Sequence, residues 1–156
     1  MQEYEDFIAN ESRAYLDKAR TIRNRIKVCD DMLEIVRRLA EPKGIDYASQ
    51  PGSGVNKDAI ADVVAAMDEM SGAWRDERIR LMAELDEAVG TIYKVGDATL
   101  CVLLMSRYID GLEWGDVAAV LNYSEDHCYK LHRAALVAIH RFIPPMYRTE
   151  IPQAQQ

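Results

Sequence analysis

Basic residues are scarce in this sequence: 19 Lys and Arg stand against 26 Asp and Glu, for a net charge of −7. Taken alone, that balance weighs against nucleic acid as a partner. Long hydrophobic runs are also missing, because charges interrupt every segment before the roughly 18 apolar residues that a membrane span needs. The opening residues MQEYEDFIANESR are acidic and lack the apolar core of a secretory signal. We therefore expect a cytoplasmic protein with no membrane partner.

Cysteines and catalytic motifs are few as well. Cys29, Cys101 and Cys128 are far apart and form no CxxC pair, so reduced, buried thiols fit better than disulfides. Cys128 and His132 have a spacing that can hold a metal, but a structural site needs four ligands, so we expect no metal and no cofactor. No GxSxG, phosphate-binding loop or His–carboxylate set is visible, and we predict that the protein is not an enzyme.

Glycine and proline number only 8 and 5, and they cluster, so they divide the chain. Residues 41–57 hold two prolines and three glycines, and residues 144–156 begin with two prolines. These breaks predict a helical hairpin over 1–96 with a loop at 41–57, a second domain over 97–143, and a flexible tail over 144–156. The loop is long for a simple hairpin, so we expect it to be functional or mobile.

Two stripes of apolar and small residues run through the first of these parts. In both stripes the steps alternate between four and three residues, as in a coiled coil or a long helical hairpin. The first stripe is Ile8, Ser12, Tyr15, Ala19, Ile22, Ile26, Cys29, Leu33, Val36 and Ala40. The second, which is weakened at Ser71 and Arg78, is Ile60, Val64, Met67, Ser71, Trp74, Arg78, Leu81, Leu85, Ala88, Ile92 and Val95. A helix over 3–40 would be about 57 Å long and cannot bury its stripe alone, so we predict an antiparallel pair in an all-α fold.

The stretch GLEWGDVAAVLNYSEDHCYKLHRAAL, residues 111–136, has the spacing of a helix-turn-helix. Such a motif needs a small residue where its helices cross, here Ala118, and a turn residue that tolerates positive φ, here Asn122. Ser124 can cap the second helix by accepting from the backbone amide of Asp126 or His127. The expected core of the motif is Val117, Ala118, Leu121, Asn122, Tyr123, Cys128 and Leu131.

The longer stretch LLMSRYIDGLEWGDVAAVLNYSEDHCYKLHRAAL resembles region 4 of bacterial sigma factors, where a helix ending in "RY.GL" leads into the helix-turn-helix. It is also similar to small phage and prophage regulators, including late-gene activators of the RinA and ArpU type. For residues 1–96 the likeness is architectural only. The resemblance implies a DNA-binding transcriptional regulator of phage or prophage genes. Two departures stand out: Glu113 replaces a usual Ser or Thr cap, and Glu125 and Asp126 replace basic or neutral polar residues.

The second helix of the motif supplies the candidate contacts to double-stranded DNA. A carboxylate in its first turn suits the helix dipole and can accept from a cytosine amino group. Lys130 and Arg133 suit phosphates, and residues 127–148 hold four bases and no acid. The acidic balance should therefore lower DNA affinity rather than exclude binding. The predicted contacts are Glu125, Asp126, His127, Tyr129, Lys130 and Arg133.

A second basic patch lies on the first helix, at Arg13, Arg20, Arg23 and Lys27. It is interpreted either as the solvated face of a coiled coil or as an extra contact to phosphate or to an acidic partner. The alternative to DNA binding is a helical interaction module that recruits RNA polymerase, a sigma factor or a phage packaging protein.

We also expect a homodimer through the hairpin. A regulator with so little positive charge needs a second anchor, and a second copy supplies one without new base contacts. Tyr4, Phe7, Met32 and Leu39 lie off the first stripe and are the residues expected to face the other chain.

Overall fold

The computed structural model describes residues 1–41 and 57–149, so the predicted loop at 41–57 lies outside the described residues except for its two ends. Within the described ranges the chain is all-helical and contains no strand, as the sequence predicts. No helix in these ranges is long and apolar enough to cross a membrane.

Two long helices come first: α1 spans Gln2–Ala40 and α2 spans Lys57–Tyr93. Nothing breaks α1, because it contains neither glycine nor proline. Its first turn carries Glu3 and Glu5 and its last turn carries Arg37 and Arg38. The charges at both ends therefore interact favourably with the helix dipole.

Shorter helices follow after Gly96, which takes a positive φ of 81° and ends the preceding segment. Asp97 caps α3, Ala98–Leu104, by accepting from the amide of Leu100 at 2.9 Å. A π-helical turn, Met105–Ile109, leads to α4, Trp114–Leu121, and α5, Glu125–Ile139. After Ile139 the last helix tightens into a 3₁₀ turn at His140–Phe142, inside the domain predicted over 97–143.

The chain forms two compact units, one of Met1–Asn24 with Ala83–Gln156 and one of Arg25–Met82. The sequence placed a boundary at residue 96. In the first unit, however, the start of α1 and the end of α2 share a core with α3, α4 and α5. This shared core explains why the division does not follow the predicted boundary. Its members include Leu16, Ile92, Leu103, Leu104, Val117, Leu136, Ile139 and Ile143.

Residues 144–149, which the sequence assigned to a flexible tail, lie against α1 in the first unit. The ring of Tyr147 is 5.1 Å from that of Tyr15. Glu11 accepts from the backbone amide of Thr149 at 2.6 Å and lies 2.6 Å from His140 Nε2. Burial pushes the pKa of the Glu11 carboxyl up, but the hydrogen bonds from His140 and Thr149 outweigh it and hold the pKa below its usual range.

In the second unit α1 and α2 lie side by side, joined by Arg25 with Glu77 at 2.6 Å and Arg78 with Asp30 at 2.6 Å. The stripe of α1 is buried here through Val36, apart from the half-buried Leu33. The stripe of α2 behaves differently: it is buried at Ser71 and Leu81, whereas its predicted first members are largely exposed, Ile60 at 47% and Val64 at 51%.

Candidate nucleic-acid interface

The turn between α4 and α5 is built by Asn122, whose backbone is left-handed at φ 57° and ψ 43°. The Asn122 amide bonds the carbonyl of Ala119 at 3.3 Å, and the Tyr123 amide bonds that of Ala118 at 3.1 Å. These two bonds make a Schellman ending, which satisfies the last carbonyls of α4. Ser124 then caps α5 by accepting from the His127 amide at 3.2 Å. Asn122 and Ser124 therefore have the local roles that the sequence predicted.

The packing of the two helices agrees with most, but not all, of the predicted core. Val117 and Cys128 are fully buried and Ala118 is 7% exposed. Leu121 and Leu131 are partly buried against the same core. Two members of the predicted core are exposed: Asn122, which forms the turn, and Tyr123. Tyr123 is 46% exposed, and its ring meets His127 edge-on at 4.7 Å instead of entering the core. The left-handed turn before Tyr123 directs the side chain along the start of α5.

His132 is a core residue of the interface that the sequence analysis missed. Its Nε2 lies 2.7 Å from the hydroxyl of Tyr108, on the π-helical turn. The Trp114 ring packs between the rings of His132, at 4.7 Å, and Tyr129, at 5.0 Å. The signal was present in the spacing, because His132 is one helical turn beyond the inward-facing Cys128.

The electrostatics of this pair fix its protonation. Burial, reinforced by the nearby charges of Arg13 and Arg107, lowers the pKa of His132 to about 4. Burial, with the charge of Asp17, raises the pKa of Tyr108 to about 12. At neutral pH the imidazole is therefore uncharged, and its Nε2 shares a hydrogen bond with the Tyr108 hydroxyl. His132 thus anchors α5 rather than contributing charge at its surface.

The predicted DNA contacts all lie on the exposed surface of α5, which we call the α5 face. It comprises Glu125, Asp126, His127, Tyr129, Lys130 and Arg133. Lys130 forms no ion pair with any residue that the structure describes. The face therefore presents a cation, an aromatic ring and two carboxylates along its length, which are the types of group that contact phosphates and base edges in DNA.

Arg133, at the far end of the α5 face, already has acidic partners. Its guanidinium forms an ion pair with Asp6 of α1 and lies 3.8 Å from Glu5. The Arg133 side chain is 45% exposed, and those of Asp6 and Glu5 are each 50% exposed. Exposed ion pairs of this kind contribute only about 0–1 kcal/mol, so a phosphate can compete for the same arginine.

Glu113 begins α4 without capping it, since its side chain makes no cap hydrogen bond. Its two carboxylate oxygens instead lie 3.4 Å from Arg20 and 3.5 Å from Arg107. Arg107 is fixed in place, because it donates to the Leu112 carbonyl at 2.9 Å and stacks over Trp114 at 4.8 Å. Glu113, which stands where a Ser or Thr cap is usual, therefore pairs with two arginines instead of capping the helix.

The predicted basic patch on α1 is divided between the two compact units. Arg13 and Arg20 lie in the first unit, together with Arg23, whose guanidinium is 2.8 Å from where a Cβ on Gly111 would stand. Lys27 belongs to the second unit and pairs with Asp31 at 3.1 Å. The structure therefore brings three of the four predicted residues together in one unit, where Arg107 joins them.

Comparisons of the chain with protein-family models, with curated proteins and with solved structures give no match. Any functional conclusion therefore depends on the residues of the site itself. The site consists of α5, whose exposed face carries both basic and acidic side chains. Next to it lie Arg20 and Arg107, whose charges are partly neutralised by Glu113.

Proposed function

We propose that this protein is a DNA-binding transcriptional regulator of phage or prophage genes, and that it binds DNA through α4 and α5 as a sigma region 4-like helix-turn-helix. In this proposal α1 and α2 form an antiparallel helical hairpin that carries the motif. The observation that carries the proposal is the Schellman turn at Asn122 followed by the Ser124 cap. That turn leaves all six predicted contacts of the α5 face exposed.

The cations near the α5 face supply the phosphate contacts in this proposal. Lys130 and Arg133 lie on α5 itself, and Arg20 and Arg107 flank the start of α4. Phosphate contacts set the register of a reading helix, whereas base edges set its specificity. Tyr129, His127 and the two carboxylates of the first turn of α5 are the groups that we assign to base edges.

Gel shifts on upstream fragments from the protein's own genome test the proposal. We expect one or a few fragments to shift at low salt, and the shift to weaken as salt rises. Unrelated fragments of equal length serve as the control. Failure of every genomic fragment to shift at low salt would reject DNA binding.

The alternative is a helical interaction module that recruits RNA polymerase, a sigma factor or a phage packaging protein. The ion pairs of Arg133 with Asp6 and Glu5 favour it, because they neutralise a cation that DNA would need. Titration of the purified protein with purified RNA polymerase in the absence of DNA distinguishes the two. A complex that forms without DNA, together with no fragment shift, would support the alternative. RNA polymerase and a second copy of the chain are the proposed protein partners.

A further inference from the structure

We infer that a second copy of this chain docks on one side of the Arg25–Met82 unit and closes its two helices into a four-helix bundle. This side, the apolar flank, consists of Val28, Met32, Ile35, Leu39, Val63 and Met70. The inference extends the proposed function, since a dimer carries two α5 faces. It can be tested without DNA, so the two can fail separately.

Helix periodicity places these residues on one side. Arg25 and Glu77 contact each other across the two helices at 2.6 Å. Seven-residue steps return to nearly the same face of a helix. Steps forward from Arg25 reach Met32 and Leu39, and steps back from Glu77 reach Met70 and Val63. In an antiparallel pair these residues therefore continue the line of the ion pair.

The side chains of the flank are apolar, yet most of them are largely exposed to solvent. Leu39 is 65% exposed, Val63 54%, Val28 52%, and Ile35 and Met70 48% each. Scattered apolar residues are common on protein surfaces, but a contiguous apolar patch marks an interaction site. Two helices alone cannot enclose both the apolar stripes between them and the flank, whereas four helices can.

Charge selects a second copy and its arrangement. The flank itself has no charge, and the ion pair at its end is already neutral, so no like charges meet when two flanks face each other. Beside the flank, Asp62, Glu69 and Asp76 repeat every seven residues along α2. Because α2 against α2 would bring these acids together, α2 of one copy lies beside α1 of the other. The matching edge of α1 carries Asp31 and Arg38, whose charges cancel.

The size of the flank sets the expected strength of the dimer. From Val28 to Leu39 it is about 17 Å long, and two helices are about 20 Å across, which gives a face of roughly 340 Å². Stable complexes bury about 800 Å² per partner. We therefore expect a closed two-fold dimer whose dissociation constant is on the order of 10 µM rather than nanomolar.

Sedimentation equilibrium of the full chain, without DNA, across concentrations around 10 µM tests the inference. Val63→Lys and Leu39→Lys place charges on the flank, twice per dimer, and should weaken the dimer at least tenfold. Ile79→Lys is the matched control, because Ile79 is 67% exposed but lies on the other side of α2 from Glu77. It should dimerise like the parent chain.

A parent chain that stays monomeric throughout this range would overturn the inference. So would an Ile79→Lys variant that loses the dimer as much as the two flank variants do. Because Val63 and Leu39 lie on different helices, loss of the dimer in both variants with unchanged circular dichroism would exclude local unfolding as its cause.

Discussion

Among single residues, His132 connects α5 to the π-helical turn and to α4. Its neutral ring forms a hydrogen bond with Tyr108 and packs against Trp114. Protonation would place a charge in this buried site near Arg13 and Arg107, which are the groups that help to lower its pKa to about 4. The anchor of α5 is therefore sensitive to pH.

The first prediction concerns stability between pH 7 and pH 5. The pKa of His132 is about 4 in the folded chain and 6.5 in the unfolded chain, so only the unfolded state gains this proton as pH falls through 6.5. Stability should be full above that pH and fall by about 2 kcal/mol at pH 5, with further loss towards pH 4. Urea denaturation at the two pH values measures the change.

His132→Gln is the control, because its amide oxygen can accept from Tyr108 and does not titrate in this range. Its stability should depend less on pH between 7 and 5. The carboxyl of Glu11 does not confuse the comparison, since its lowered pKa places its effect below 4.5. Equal pH dependence in both proteins would show that His132 does not titrate as described.

At the scale of elements, the close approach of α4 to α5 depends on a small side chain. Ala118 is 7% exposed, and its neighbour Ala119 is exposed on the same helix. We predict that Ala118→Leu will lower the free energy of unfolding by about 1–3 kcal/mol, because the core has no room for the added methylenes. Ala119→Leu should be nearly neutral. Equal effects of both substitutions on thermal stability would argue against this packing.

Local chemistry explains which elements could be predicted from the sequence. The stripe of α1 was correct from Ile8 to Val36 except for the half-buried Leu33, because a helix with no break keeps its period. The Asn122 turn and the Ser124 cap were predictable because each depends on neighbouring residues only. The exposure of Ile60 and Val64 was not, since a periodic pattern shows which residues can be buried and not whether a partner covers them.

Contacts between distant parts of the chain account for what the sequence did not predict in the candidate site. Arg133 and Asp6 are far apart in sequence, and nothing local signals their ion pair. The contact of Glu113 with Arg20 is equally non-local. Tyr123 was expected in the core but is exposed, because the left-handed turn at Asn122 directs its side chain along the start of α5.

At the scale of the whole molecule, part of the net charge of −7 lies at the interface itself, where Asp6 pairs with Arg133. We predict that Asp6→Asn will raise DNA affinity about two- to fivefold, because an exposed ion pair that competes with phosphate is worth under about 1 kcal/mol. Fluorescence anisotropy with a shifted fragment measures it. Asp31→Asn removes the same charge beside Lys27 and should have a smaller effect. Equal gains would mean that net charge alone, and not release of Arg133, limits binding.

The salt dependence of DNA affinity tests the central claim most directly. If Lys130, Arg133, Arg20 and Arg107 contact four phosphates, the log–log slope of affinity against salt should be about −3.6. Lys130→Gln should reduce it to about −2.7, whereas Lys94→Gln, at an exposed lysine in the turn after α2, should leave it unchanged. No binding at low salt, or a slope that responds equally to both substitutions, would contradict DNA binding through the α5 face.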